Sequence, residues 1–141
     1  MNYKNILSKK GINRTKFRTD LLDYFYSSNK SLSVDDIYIY FKSSINRVTI
    51  YRSLASFEKK GLIHKVPDSN NLKRYSLCRE GDCNETSHNH YHGHFICHSC
   101  NQTFCLEDFK SLDTDITCLK GFYVQEFKLI AEGYCQICNQ N

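Results

Sequence analysis

The sequence predicts an α+β protein, in which an N-terminal winged helix-turn-helix is followed by a small αβ domain built around a cysteine cluster. Two observations predict this division. The first half shows helical periodicity and then two strand-like runs, whereas all eight cysteines lie at or after Cys78 and five of the six histidines lie in 88–98. We expect the winged helix at 1–78, a polar hinge at 79–91 and the metal-binding domain at 92–141.

Apolar periodicity predicts four helices in the first half. They are expected at 3–9, 16–27, 31–41 and 48–59. Thr15 can cap the second helix, and Ser33 followed by Asp36 is a variant of the capping box for the third. Gly11 and Gly61 are expected to end the first and the last helix.

Two strand-like runs, LIHKVP and KRYSLC, follow the last helix and are joined by turn-forming residues at 68–71. Three longer helices and such a hairpin together make a winged helix-turn-helix. In the second half, HGHFICHSC alternates like a strand, and 122–132 has the pattern of another strand. The polar residues 79–91 indicate a loop, and the pattern at 108–120 leaves a short helix open.

Two Cys-x-x-Cys pairs, Cys97/Cys100 and Cys135/Cys138, predict a zinc ion held by four sulfurs. Zn²⁺ prefers four tetrahedral ligands and binds thiolates well, and each such turn places two sulfurs on one side of an ion. Because a closed four-sulfur shell leaves no open position, we expect this zinc to be structural. The alternative is two redox dithiols or disulfides, although two paired Cys-x-x-Cys motifs are rarely redox-active.

The helix at 48–59 carries the predicted DNA-reading face. Its buried stripe is expected to contain Val48, Ile50, Leu54 and Phe57. This leaves polar and aromatic residues exposed near its N-terminal end: Arg47, Thr49, Tyr51, Arg52 and Ser53. In a helix-turn-helix that end enters the major groove, where arginine contacts guanine bidentately.

Basic residues elsewhere could contact the DNA backbone. Arg14, Lys16 and Arg18 form a cluster at the start of the second helix. A second basic set is expected to border the wing: Lys59, Lys60, Lys65, Lys73 and Arg74.

Composition and missing motifs exclude several classes. The net charge of +4 is mildly basic, which is compatible with a nucleic-acid partner. No apolar run approaches the roughly 20 residues that span a bilayer, and the N-terminus has no signal-peptide core, so we expect a cytoplasmic protein without a membrane partner. Neither an enzyme nor a small-molecule substrate is expected, because HExxH, P-loop, GxGxxG and the His-x-Glu of deaminases are missing from the sequence.

Six segments occur in order over nearly the whole chain: GINRTKFR, RVTIYRSL, GLIHKV, RYSLC, HGHFICHSC and CQIC. In this combination the sequence resembles the ferric uptake regulator family of metal-dependent repressors. The resemblance implies a C-terminal dimerisation domain, a homodimer, and binding of palindromic double-stranded DNA when metal-loaded. By the family pattern, Tyr51 and Arg52 match base-contacting positions and Arg18 matches another DNA contact. The family's basic residue after Gly-Ile falls on Asn13, so Arg14 would have to substitute.

The resemblance also implies a regulatory metal site. The family uses the His-x-His pair that His92 and His94 provide here, and Cys105 lies where many members carry a carboxylate ligand. Cys78 matches a position at which zinc-sensing members often place a cysteine, and His64 matches one at which some zinc uptake regulators supply a hinge ligand. These five residues would bridge the two domains, and their two thiolates favour zinc over iron(II) or manganese(II).

We therefore expect a zinc-sensing repressor of metal-uptake genes. The alternatives are an iron-responsive regulator of the same family and, in a different class, a zinc-storage or transfer protein without DNA binding. Ser31 stands where iron and peroxide sensors often place a histidine. His64 could instead be a surface residue of the wing, and Cys78 and Cys105 could be plain core cysteines. Auxiliary ligands or a solvated linker are both open for Cys83, His88 and His90.

Overall fold

The computed structural model describes residues 1–28, 30–78, 93–106, 119–125 and 128–140. Its elements, in chain order, are α1 (Tyr3–Lys9), α2 (Lys16–Ser28), β1 (Leu32–Ser33), α3 (Val34–Tyr40), α4 (Arg47–Lys59), β2 (Ile63–Val66), β3 (Arg74–Leu77), β4 (Gly93–Cys97), β5 (Thr103–Leu106), β6 (Ile130–Gly133) and a final 3₁₀ turn (Cys138–Gln140). The four predicted helices are confirmed. Their ends agree to within one residue, except that α3 starts after its cap rather than at Ser31.

Side-chain caps begin the three helices of the helix-turn-helix. The Thr15 hydroxyl accepts a hydrogen bond from the backbone N–H of Arg18 at 3.2 Å, ahead of α2. Ser33 and Asp36 form both hydrogen bonds of the predicted capping box at the start of α3. The Asn46 side chain accepts from the N–H of Thr49 at 2.8 Å, ahead of α4. Each cap satisfies a backbone donor that the first helical turn leaves open, which fixes where the helix begins.

Apolar side chains from all four helices and from the wing sheet form one core. Its fully buried members are Leu7, Leu21, Leu22, Ile37, Ile50, Leu54, Phe57 and Ile63. The stripe of α4 follows the helical period through Ile50, Leu54 and Phe57, as predicted. Val48, which the sequence assigned to this stripe, is instead 57% exposed. Its position is two residues before Ile50, about 200° around the helix, so the two side chains face opposite sides.

The wing is a three-stranded antiparallel sheet in the order β1-β3-β2. The predicted hairpin is confirmed, with His64 opposite Ser76 and Val66 opposite Arg74. Strand β1 was not predicted, because two residues are too few to show an alternating pattern. It pairs Leu32 with Tyr75 and so attaches the segment before α3 to the wing.

Arg74 lies inside the protein and not at the border of the wing, which corrects the sequence-based assignment. It is 7% exposed. Its guanidinium donates to Asp68 Oδ1 at 2.9 Å, to the Ser31 carbonyl at 3.2 Å and to Asp36 Oδ2 at 3.4 Å. One side chain therefore connects the wing turn, the start of β1 and the cap of α3.

The second sheet has the order β5-β4-β6, with β4 antiparallel to β5 and parallel to β6. The predicted strand at the HGHFIC segment is confirmed as β4. The strand expected over 122–132 is shorter, since only Ile130–Gly133 pairs and 122–125 is irregular. Strand β5 was not predicted.

Several expectations lie outside the described residues. They include the hinge at 79–91 and nearly all of the ambiguous 108–120 segment. The boundaries 1–78, 79–91 and 92–141 therefore stay a prediction. Among the residues described, no helix combines the length and the apolar character needed to cross a membrane.

Candidate metal centres and nucleic-acid interface

The first candidate centre consists of Cys97, Cys100, Cys135 and Cys138, whose sulfur atoms all lie within 4.8 Å of one another. Strands β4 and β6 run parallel, so the Cys-x-x-Cys turn that follows each of them lies at the same end of the sheet. The Sγ atoms of Cys100 and Cys135 are 4.0 Å apart. Zn–S bonds of about 2.3 Å in a tetrahedron place sulfurs about 3.8 Å apart, whereas a disulfide needs about 2.05 Å. The cluster fits a four-sulfur zinc site.

Backbone donors around Cys97 favour its thiolate form, which is the form that binds zinc. Hydrogen bonds from the N–H groups of Cys100, Cys135 and Ser99 lower the pKa of Cys97 to about 6, although burial opposes the shift. The Cys135 N–H lies 3.4 Å from the Cys97 sulfur. Cys97 is fully buried. Its sulfur therefore connects the two Cys-x-x-Cys turns below the protein surface.

The second candidate centre brings together His64, His94 and Cys105, whose ligand atoms also lie within 4.8 Å of one another. His94 and Cys105 sit directly opposite each other on β4 and β5. His64 comes from β2 of the winged helix, and its Nε2 is 3.5 Å from the Cys105 sulfur. His64 is 6% exposed, so the alternative interpretation of it as a surface wing residue is wrong. The cluster joins the two sheets.

Cys78 lies on the other side of the His64 ring. Its sulfur is 3.6 Å from His64 Nδ1, the nitrogen that faces away from Cys105. Cys78 is not among the three side chains whose ligand atoms all lie within 4.8 Å of one another. His92, the fifth predicted ligand, lies outside the described residues, as do Cys83, His88 and His90.

The N-terminal part of α4 presents Arg47, Thr49, Tyr51 and Arg52 to solvent. Ser53, which was expected on this face, is 2% exposed because it lies between the stripe residues Ile50 and Leu54. The four exposed side chains occupy the helix end that enters the major groove in a helix-turn-helix.

Two of the predicted arginines make contacts within the protein. Arg47 donates to Asp35 Oδ1 at 2.6 Å, and its guanidinium carbon lies 4.3 Å from the centroid of the Tyr38 ring. Arg18 donates to the Asn13 carbonyl at 3.4 Å. Both contacts are exposed and therefore weak, so they orient the arginine side chains without preventing contact with DNA.

A set of hydrogen bonds between the two sheets was not predicted from the sequence. The Thr103 hydroxyl on β5 donates to the Pro67 carbonyl, just after β2, at 2.6 Å. Ser31 Oγ accepts from the Thr103 N–H at 3.3 Å and donates to Gln102 Oε1 at 3.2 Å. No periodic pattern marks these residues. Only the pairing of β5 beside β4 brings them to the wing.

The sequence pattern that defines the ferric uptake regulator family matches residues 9–131 of this chain. The chain belongs to the ferric uptake regulator family. As a member of this family it is a metal-dependent regulator and not an enzyme. It is similar to the ferric uptake regulation protein of Staphylococcus aureus strain Mu50, with 29% identity over 136 residues that cover 94% of this chain and 93% of that protein.

Solved structures of regulators of this fold resemble the chain along nearly its whole length. The ferric uptake regulator from Francisella tularensis, solved with iron, superposes with a TM-score of 0.64 at 27% identity and covers 92% of this chain and 96% of its own. A zinc uptake regulator complexed with zinc and DNA gives a TM-score of 0.65 at 23% identity, with coverages of 97% and 90%. At 23% identity that likeness shows the fold alone.

Proposed function

We propose that this ferric uptake regulator family member is a zinc-responsive, DNA-binding transcriptional repressor that controls metal-uptake genes. The observation that carries the proposal is the His64–His94–Cys105 cluster, in which one side chain comes from the winged helix and two from the β4–β5 hairpin. A metal held there would connect the DNA-binding half to the sheet. The four-cysteine cluster is proposed to hold a separate, structural zinc.

The donor atoms support zinc for the regulatory site. A thiolate and two imidazoles are soft or borderline ligands, which suit zinc better than they suit iron(II) or manganese(II). His92 is proposed as a further ligand, because it lies two residues before His94 on the same predicted strand. Cys78 is the last residue of the proposed set. Its sulfur lies on the Nδ1 side of the His64 ring, where it can accept a hydrogen bond from Nδ1–H and so keep Nε2 available to the metal.

Domain closure is the proposed link between metal and DNA. When bound, zinc supplies a cross-link between β2 and the β4–β5 hairpin. His64 then holds β2, and with it the wing beside α4, in one position relative to the sheet. A metal that binds only this closed arrangement raises the population of closed protein and thereby the affinity for the operator.

The proposed DNA-contacting residues are Arg14, Arg18, Arg47, Thr49, Tyr51 and Arg52. Arg52 and Tyr51 are proposed to contact base edges in the major groove, and the remaining residues to hold the backbone. Lys73 lies 6.0 Å from the centroid of the Tyr51 ring and so connects the wing to this face. The solved zinc uptake regulator complexed with DNA supports a DNA-bound state for the same fold.

A homodimer on a palindromic operator, acting in the cytoplasm, completes the proposal. Large apolar side chains in the second half are exposed in the single chain: Phe122, Tyr123, Val124, Tyr134 and Ile137. Exposed large apolar side chains of this kind are typical of a subunit interface. Two copies related by a two-fold axis would present two recognition helices to two half-sites.

Operator binding titrated with buffered free zinc, iron(II) and manganese(II) tests the metal assignment. We expect zinc to raise operator affinity after the structural site is already filled. An iron-responsive regulator is the second candidate, favoured by the name of the Staphylococcus relative and by the iron-containing Francisella structure. If iron(II) activates and zinc adds nothing beyond the structural ion, the zinc assignment is wrong.

The Arg52→Ala variant separates a repressor from a zinc-storage or transfer protein. We expect it to lose operator binding while it keeps the zinc content of the wild type, because Arg52 is exposed on α4 and belongs to neither cluster. A wild-type protein that takes up zinc but shows no specific DNA binding would contradict the repressor proposal.

A further inference from the structure

Strand β5 contacts the winged helix at two points on one face. Thr103 and Cys105 are two residues apart on this strand, so their side chains point the same way. Cys105 faces His64 on β2, and Thr103 donates to the carbonyl of Pro67, just after β2 ends. The first contact belongs to the proposed regulatory site. The second is a hydrogen bond that needs no metal.

Ser31 reinforces the second contact from the other side. Its hydroxyl accepts from the backbone N–H of Thr103, and its carbonyl accepts from Arg74. Both Ser31 and Thr103 are buried, with 1% and 2% of their surfaces exposed. Arg74 in turn binds Asp68 in the wing turn. Separating the β5 strand from the winged helix would break these hydrogen bonds. The polar groups of Ser31 and Thr103 would then have to bind water instead.

We propose that Thr103 is a positioning residue that aligns Cys105 with His64 before the regulatory metal arrives. Together with Ser31 it raises the fraction of metal-free protein that is closed, so that less of the metal's binding free energy is needed for closure. This inference rests on the proposed function, since it assigns a role within the same regulatory site. It adds a metal-independent part to the contact between the halves.

The size of the effect follows from linkage. For a metal that binds only closed protein, the apparent affinity equals the intrinsic affinity multiplied by the fraction of protein that is closed. Removing one intramolecular hydrogen bond shifts such an equilibrium by roughly 2- to 10-fold. We therefore expect Thr103→Val, which replaces the hydroxyl with a methyl of similar size, to weaken zinc binding at the regulatory site by roughly 2- to 10-fold.

The experiment measures Zn²⁺ affinity by competition with a chelator, in full-length protein whose four-cysteine site stays filled. Thr103→Ser keeps the hydroxyl and is expected to restore wild-type affinity. Ser69→Ala is the matched control, because it removes the exposed and longer bond to Asn101 Oδ1, at 3.4 Å, and is expected to leave zinc affinity unchanged. At saturating zinc, Thr103→Val should regain wild-type operator affinity, since the metal then maintains closure by itself.

Amide hydrogen exchange provides a readout that does not depend on the regulatory metal. In protein that lacks this metal, the N–H of residue 103 should exchange faster in Thr103→Val than in the wild type. Should Thr103→Val fail to fold, Ser31→Ala carries the same two expectations, because it removes the acceptor of the Thr103 N–H. Unchanged zinc affinity in a folded variant overturns the inference, and so does a Thr103→Ser protein that behaves like Thr103→Val.

The failure of the proposed function is recognised separately. If His64→Ala and Cys105→Ser bind zinc as tightly as the wild type, the regulatory site itself is wrong. The exchange rate at residue 103 still reports whether Thr103 holds the two halves together in that case. A wild type that binds zinc at this site but no DNA leaves the positioning role intact and rejects only the repressor.

Discussion

At the scale of single residues, the Asp68 carboxylate in the wing is held by several hydrogen bonds. Asp68 accepts from Arg74 and from the backbone N–H groups of Asn70 and Leu72. Burial by itself would raise the pKa of this carboxyl, but these hydrogen bonds outweigh burial and lower the pKa below its ordinary value of 3.8. The ionised form is therefore the one that the fold stabilises.

The Asp68→Asn variant tests this arrangement. It should destabilise the winged helix at pH 7 by about 2 kcal/mol, since a hydrogen bond between charged groups is lost inside the protein. Because the folded pKa is lowered, the contribution is complete above 3.8 and is lost as the pH falls through the folded pKa. Urea unfolding of both proteins at pH 7 and pH 3 should show the difference shrink, and an equal difference at both values would contradict it.

Cys78 and Cys105 make a second comparison between single residues. Cobalt(II) substituted into the regulatory site reports bound thiolates through its sulfur-to-metal absorption. Cys105→Ser should remove this absorption, whereas Cys78→Ser should retain it and weaken binding roughly 10-fold through the lost support of His64. Loss of the band in both variants would make Cys78 a direct ligand.

Individual residues were predictable where a pattern or a motif marked them. Helical period placed Tyr51 and Arg52 on the exposed face, and the family resemblance singled out His64 and Cys105. Arg74 was misplaced, because a charged residue on a strand gives no sign that its partner lies six residues earlier in a turn.

At the scale of elements, the parallel pairing of β4 with β6 explains the four-cysteine cluster. Antiparallel strands would place the two Cys-x-x-Cys turns at opposite ends of the sheet. The residues between the two cysteines of each turn are exposed, and β6 itself has three exposed residues and one half-buried residue. Within the described residues, apolar burial along β6 is therefore small, and the proposed zinc is expected to be what holds this strand in place.

Cys138→Ser tests that expectation. It should lower the zinc content by one ion per chain and expose the backbone of Ile130–Gly133 to rapid hydrogen exchange, while the helices stay folded. His98→Ala is the matched control, since His98 lies exposed within the first turn and is not one of the four ligands. Protected β6 amides in a zinc-free Cys138→Ser protein would show that packing alone maintains the strand.

Strand β5 was not predicted and β6 was predicted too long, and these two errors share a cause. Strand β5 has four residues directly after the first metal turn, and β6 has four before the second. Short strands beside a metal ion are fixed by ligand geometry and pairing, so their sequences need not alternate clearly. The helices, by contrast, carry their own caps and stripes and, apart from the start of α3, were predicted to within one residue.

At the scale of the whole molecule, the two sheets meet along β5, with the proposed regulatory site and the Thr103 bond side by side. The zinc-bound protein should therefore be more compact on average than the protein whose regulatory site is empty. Small-angle scattering should show a smaller radius of gyration after zinc fills the regulatory site of the wild type. The same addition should change nothing in His64→Ala, and compaction of that variant would place the closing contact elsewhere.

The parallel pairing of β4 and β6 also bears on how the chain acquires its structure. The winged helix is built largely from neighbouring segments, which form contacts early and quickly. The sheet of β4, β5 and β6 is complete only after His94 pairs with Ile130, and the chain between these two residues contains the whole of β5. Closing such a loop is slow. A zinc ion bound by one cysteine pair stabilises the sheet only after the other pair also binds it. Refolding should therefore proceed in two phases, a fast one indifferent to zinc and a slow one whose rate follows the zinc supply.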